Sequence, residues 1–71
     1  MEISDYYVNT NAQSNGDHEV HSADCYRLPA LEHRKYLGKY SSCYGAVQAA
    51  RLYYPSTADG CFWCCNPCHT R

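Results

Sequence analysis

Cys61-Phe62-Trp63-Cys64-Cys65-Asn66-Pro67-Cys68-His69 gathers four of the six cysteines of a 71-residue chain into one short run. A Cys-x-x-Cys turn presents two sulfurs on one side of a tight loop, where backbone amides can donate to thiolates. Cys61/Cys64 and Cys65/Cys68 are two such turns back to back, with His69 beside them. A tetrahedral ion wants four donors, so a second pair must come from upstream. His21-Ser22-Ala23-Asp24-Cys25 supplies it, with three residues between the ligands. The spacing predicts a metal centre of His21, Cys25, Cys61 and Cys64, with Cys65, Cys68 and His69 as alternative ligands. Three thiolates and an imidazole favour tetrahedral Zn2+, one ion in a structural role, and no open position suggests catalysis.

A chain this short buries too little apolar surface to offset its conformational entropy comfortably, so it needs a staple. One Phe, one Trp and one Met make a thin core inventory, and eight Tyr each carry a hydroxyl that wants a partner. Six cysteines can staple through metal or through disulfides, and redox compartment decides between them. Met1-Glu2-Ile3-Ser4-Asp5 is acidic and polar, without a basic segment or an apolar run, so it does not read as a signal peptide. No stretch is long enough to span a membrane. The expected compartment is the cytoplasm, where thiols stay reduced, and metal is favoured over a disulfide scaffold.

The net charge of −1 hides an asymmetry. Residues 1–24 carry Glu2, Asp5, Asp17, Glu19 and Asp24 with no Lys or Arg. Residues 25–51 carry Arg27, Arg34, Lys35, Lys39 and Arg51 against Glu32 alone. An acidic segment facing a basic one can neutralise itself on folding. The same five cations, interleaved with Tyr26, Tyr36 and Tyr40, are also the candidate contacts for a nucleic acid. A pI near 6.4 argues against that use, because phosphate neutralisation drives such binding.

The chain reads as one α+β domain over 1–71. Aromatic and β-branched residues in Ile3–Val8 predict a strand. Asn15-Gly16 supplies turn chemistry, and His18–His21 returns as a second strand, so an amino-terminal β-hairpin delivers His21 and then Cys25. Residues 26–40 suggest a short helix or irregular loop, with Lys39-Tyr40 as a possible third strand. Ser42 is placed to cap a main helix over Cys43–Tyr54, with Val47, Ala50 and Tyr54 on its buried face. Pro55 stops it, and residues 55–60 read as a turn into the cysteine run. Cys43 reads as a small packed residue, His18 as a solvent-facing one, and Phe62 and Trp63 as a cover over the site.

This order of an aromatic strand, a turn, His21-x3-Cys25, a short strand, a Ser-capped helix and Cys61-x2-Cys64 resembles the zinc module at the amino terminus of the Ada DNA-repair methyltransferase. It is similar also to modules appended to some bacterial thermonuclease-like proteins. The resemblance spans residues 6–69 and implies a zinc-stabilised Ada-like fold. In that family a zinc-bound cysteine of the first pair accepts a methyl group from a DNA phosphotriester. Here His21 stands where Ada has a cysteine, Cys25 matches the second member of the pair, the segment from Cys25 to Cys61 is long, and Cys65, Cys68 and His69 are extra.

The expected function is that of a small non-enzymatic zinc protein acting through a protein-binding surface, as an adaptor or inhibitor. Tyr6, Tyr7, Tyr36, Tyr40 and Tyr53 would supply aromatic contacts. Such a lone module also suits a phage or mobile element that disables host machinery. The alternatives are a nucleic-acid-binding module and a cysteine that acts as alkyl acceptor or redox switch through Cys64, Cys65 and Cys68.

Overall fold

Residues 3–70 are described by the computed structural model; Met1, Glu2 and Arg71, which enter the domain bounds and the charge count above, lie outside them. Four strands and one helix follow in the order β1 (Ser4–Asn9), β2 (His18–Ser22), β3 (Arg34–Tyr40), α1 (Cys43–Ala50) and β4 (Ala58–Gly60), with single 3-10 turns at Leu31–His33 and Asn66–Cys68. The sheet order is β3-β1-β2-β4. β1 lies antiparallel to both β2 and β3, and β4 runs parallel to β2. The fold is α+β.

The hairpin forms, but not as a two-residue Asn15-Gly16 turn. Such a turn would set Val8 opposite Ala23, whereas Val8 pairs with Val20 and both are wholly buried. A one-residue slip turns every side chain to the wrong face, so the apolar pattern fixes the register. The loop closes instead on itself. Gly16 N–H donates to Gln13 O at 2.8 Å, Gln13 N–H to Asp17 O at 2.8 Å, and the Asn15 side chain accepts from Asp17 N–H at 2.9 Å. Only Gly16, at φ 90°, takes a positive angle there.

Side chains alternate across a strand, so Tyr6, Val8 and Val20 face the helix while Tyr7 and His21 face away from it. Ala46 and Ala50 are wholly buried against this face, and Val47 is nearly so. Small residues at those positions let the helix backbone approach the sheet closely. Tyr54 packs on this cluster as the spacing predicts, and His18, expected to face solvent, stacks on its ring at 3.7 Å.

Three elements depart from the sequence reading. Arg34–Leu37 is strand rather than helix or loop, because β1 pairs with it along its whole length. A bulge at Leu37 opposes Tyr6 and Tyr7, with Gly38 at φ 119°. α1 ends at Ala50, four residues before the expected Tyr54. Leu52 and Tyr53 donate three residues back, the tighter pattern of a closing turn, and Ser42 makes no side-chain cap. Ala58–Gly60 is a strand, not a turn, and it is the one that positions the cysteines. Tyr6 and Tyr40 also leave the expected aromatic surface: Tyr6 is core and Tyr40 is half-buried.

Candidate metal centre

β2 and β4 run the same way, so the chain leaves both at the same end of the sheet. His21 lies on β2 and Cys25 three residues past it. Cys61 follows β4 directly, and its N–H donates to Val20 O at 2.9 Å, carrying the ladder one residue further. Cys61 thus falls beside His21 on the face away from the helix. Two turns complete the set: Cys25 N–H donates to Ser22 O, and Cys65 N–H to Cys61 O, which curls Cys64 back over the strand ends.

The four predicted ligands meet. Cys25 Sγ is 3.6 Å from His21 Nδ1 and 4.0 Å from Cys61 Sγ, and Cys64 Sγ is 3.9 Å from His21 Nδ1. All four donor atoms lie within 4.8 Å of one another, and together these residues could hold a metal ion. His21, Cys25 and Cys61 are buried and Cys64 is half-buried. Backbone amides reach two of the sulfurs: Ser22 N–H donates to Cys64 Sγ and Trp63 N–H to Cys61 Sγ, each at 3.4 Å.

In the metal-free protein these groups are held neutral. Burial lowers the His21 pKa to about 4, with the Arg27 charge acting the same way. Burial raises Cys25 and pushes Cys61 up to about 12. Cys64 is raised first by its hydrogen bond with Cys65, whose own thiol is correspondingly lowered. Three thiols and a neutral imidazole converge where burial disfavours any lone charge. A divalent cation would reverse that balance by drawing off the thiol protons.

Of the alternative ligands, Cys68 and His69 stand elsewhere and Cys65 borders the cluster. Pro67 helps turn Asn66–Cys68 away from the cluster, and Cys68 is bonded to Cys43 as a disulfide across 25 residues. Cys43, expected to be merely packed, thus ties the start of α1 to the cysteine run. The chain combines one disulfide with a separate cluster that could hold a metal ion. Cys65 is fully buried and free, with its sulfur 3.9 Å from that of Cys64. His69 Nδ1 lies 3.0 Å from Gly60 O and 3.4 Å from Asp59 Oδ2, and Thr70 donates twice more to Asp59, so this tail clasps β4.

Sequence reasoning passed over Glu19. Its Oε1 is 3.7 Å from His21 Nε2, the ring nitrogen that faces away from the sulfurs. Closing to hydrogen-bond distance, a carboxylate behind a ligating histidine would orient its ring. The signal was present: residues two apart on a strand share a face, and Glu19 is two before His21.

Three of the five candidate nucleic-acid cations have partners within the fold. Arg34 lies over the Tyr7 ring at 4.8 Å, Lys35 over Tyr53 at 4.6 Å, and Lys39 pairs with Asp5 at 3.0 Å. Arg51 closes α1, and Arg27 acts electrostatically on His21 and Glu19. Among the described residues no helix is long and apolar enough to cross a membrane. No family model, curated protein or solved structure matches this chain.

Proposed function

We propose that the chain is a structural zinc module that acts through its surface on a protein partner. The spacing of the four donors carries the reading. A tetrahedral zinc with Zn–S near 2.3 Å and Zn–N near 2.0–2.1 Å has S···S edges of about 3.8 Å and S···N edges of about 3.6 Å. Three of the six separations, at 4.0, 3.6 and 3.9 Å, are close to those edges, and all six lie within 4.8 Å. Four protein donors fill a tetrahedral shell, which suits a structural ion and a non-enzymatic role.

The Ada-like reading forms part of this proposal. Its support is the matching order of hairpin, His21-x3-Cys25, helix and Cys61-x2-Cys64. A protein partner is favoured over nucleic acid because Lys39, Arg34 and Lys35 are engaged by Asp5, Tyr7 and Tyr53. Tyr26, Trp63 and Phe62 meanwhile stand exposed beside the centre. Cytoplasmic residence fits the free thiols at the site, and the Cys43–Cys68 bond bears against it, since disulfides are rare there.

Native mass spectrometry of protein purified without added metal, beside the same sample denatured in acid, tests the reading. One zinc per native chain is expected, with four alkylatable thiols and one disulfide after denaturation. Two or three disulfides and no metal would overturn it.

A further inference from the structure

Beside the metal centre lies an open cleft of about 360 Å³, lined by Ser22, Asp24, Cys25, Tyr26, Trp63 and Cys64. The two rings on its wall, Tyr26 and Trp63, have centroids 6.1 Å apart and are tilted by 56°. Their planes are inclined rather than stacked. A charge lodged in the cleft beside them can lie within about 6 Å of both ring centres, the range of cation–π attraction, and Trp is the strongest such partner. Trp63 is braced from behind by Phe62, edge-on at 4.9 Å, which in turn meets His69 at 5.4 Å.

The floor carries the complementary charge. Asp24 is exposed at the rim, and its Oδ1 accepts from Ser22 Oγ at 2.7 Å, which holds the carboxylate in place. Cys25 and Cys64 are ligands in the proposed zinc site. Three thiolates around a divalent ion leave one negative charge in excess. Arg27 is not among the residues lining the cleft. Aromatic walls over an anionic floor suit a large, weakly hydrated cation. A bare ammonium would surrender too much hydration, whereas a quaternary one has little to lose.

The geometry points to a binding site for a quaternary ammonium group, as carried by the trimethylated lysine side chain of a protein partner. The inference rests on the zinc reading, because the ion orders the floor and supplies part of its charge.

The test is an NMR titration of the zinc-loaded protein, following the indole N–H of Trp63, the sole tryptophan. The probes are choline, its neutral isostere dimethylbutanol, and the capped amino acids trimethyllysine and lysine. Saturable shifts are expected with choline and trimethyllysine, and responses at least about tenfold weaker with the isostere and with lysine. Trimethyllysine is expected to bind the more tightly, and tighter binding of choline would overturn the lysine source. Tyr26→Ala and Asp24→Asn should each weaken cation binding by about tenfold while zinc content stays at one per chain. Equal response to choline and dimethylbutanol, or no saturation by either cation, in protein that holds zinc overturns the cage and leaves the zinc reading standing. Protein that takes up no zinc overturns both.

Discussion

Gly60 is the residue where adding one methyl group should be felt most. A Cβ built on it would lie 2.7 Å from Cys65 O, 2.8 Å from Cys68 Cβ and 2.9 Å from the Cys68 carbonyl carbon. Ordinary carbon contacts begin near 3.5 Å, so each of these must open by roughly 0.6–0.8 Å. None of the three atoms is the end of a flexible side chain. Cys65 and Cys68 are fixed by their backbone bonds to Cys61 O and Cys65 O, both 2.9 Å, and Cys68 also by its disulfide. Overpacking a rigid site costs about 1–3 kcal/mol, and two backbone contacts put Gly60→Ala at the upper end.

About 3 kcal/mol in a domain of this size lowers Tm by roughly 12–24 °C. Where metal binding and folding are one event, the same energy appears in the metal affinity, as a loss on the order of 100-fold. Thermal melts of zinc-saturated parent and variant, with competition against a chromophoric chelator, read both numbers. A variant that melts within about 2 °C of the parent would refute the reasoning, because it would mean the cysteine run yields freely and does not press on β4.

Other perturbations probe the same assembly. Stripping zinc with a chelator should abolish most far-UV dichroism, since a structural zinc contributes on the order of 10 kcal/mol, about the whole stability of a small domain. Cys43→Ala with Cys68→Ala should cost up to about 3.5 kcal/mol from a closed loop of 25 residues, read by guanidinium unfolding at saturating zinc. Glu19→Gln should weaken zinc binding by about 10–100-fold with little change in the metal-bound fold, as its carboxylate only orients His21. Calorimetry of zinc binding at pH 7 in buffers of different ionisation enthalpy should show about three protons released. The unfolded metal-free chain holds all three thiols, Cys25, Cys61 and Cys64, protonated at pH 7, and its His21, near the ordinary value of about 6.5, adds only about a quarter of a proton. In any metal-free folded fraction, His21 works against acid. Below its unfolded value near 6.5 the unfolded chain takes up a proton that the folded one refuses until about 4. Stability therefore falls as pH drops through that window, by up to about 3 kcal/mol.

What could be read from the residues was what depends on near neighbours and on chemistry. His21-x3-Cys25 and Cys61-x2-Cys64 were legible because ligand spacing is a property of single turns. The Val8 and Val20 strands were legible because β-branched residues beside aromatic ones suit few other structures. β3 and β4 were not. Arg34-Lys35-Tyr36 carries no apolar alternation to announce a strand, and it extends because β1 offers it an edge. Ala58-Asp59-Gly60 follows Pro55-Ser56-Thr57 and has the composition of a turn. It becomes a strand through its partnership with β2, some forty residues earlier, and local propensity does not report such pairing. The Cys43–Cys68 bond was hidden for a similar reason, as connectivity among six cysteines cannot be deduced from spacing.

The parallel pairing of β2 and β4 explains what two staples, the Cys43–Cys68 bond and a metal at the cluster, would each do for the fold. A parallel pair demands a long crossover, here β3 and α1, and its entropy must be repaid by contacts between distant residues. β4 has only three residues with which to repay it. Alternation sends its two sides to different anchors. Gly60 faces the helix side, where Cys68 sits bonded to Cys43, while Cys61, continuing the strand, faces the opposite side and joins His21. The short strand is thus held from one face by a disulfide to the start of α1, and from the other by the cluster that could hold a metal. The hydrogen bonds of His69 and Thr70 to Gly60 and Asp59 add a third hold on a strand that short. The same fastening sets Trp63 beside Tyr26, so the surface proposed to recognise a partner depends directly on the two staples beneath it.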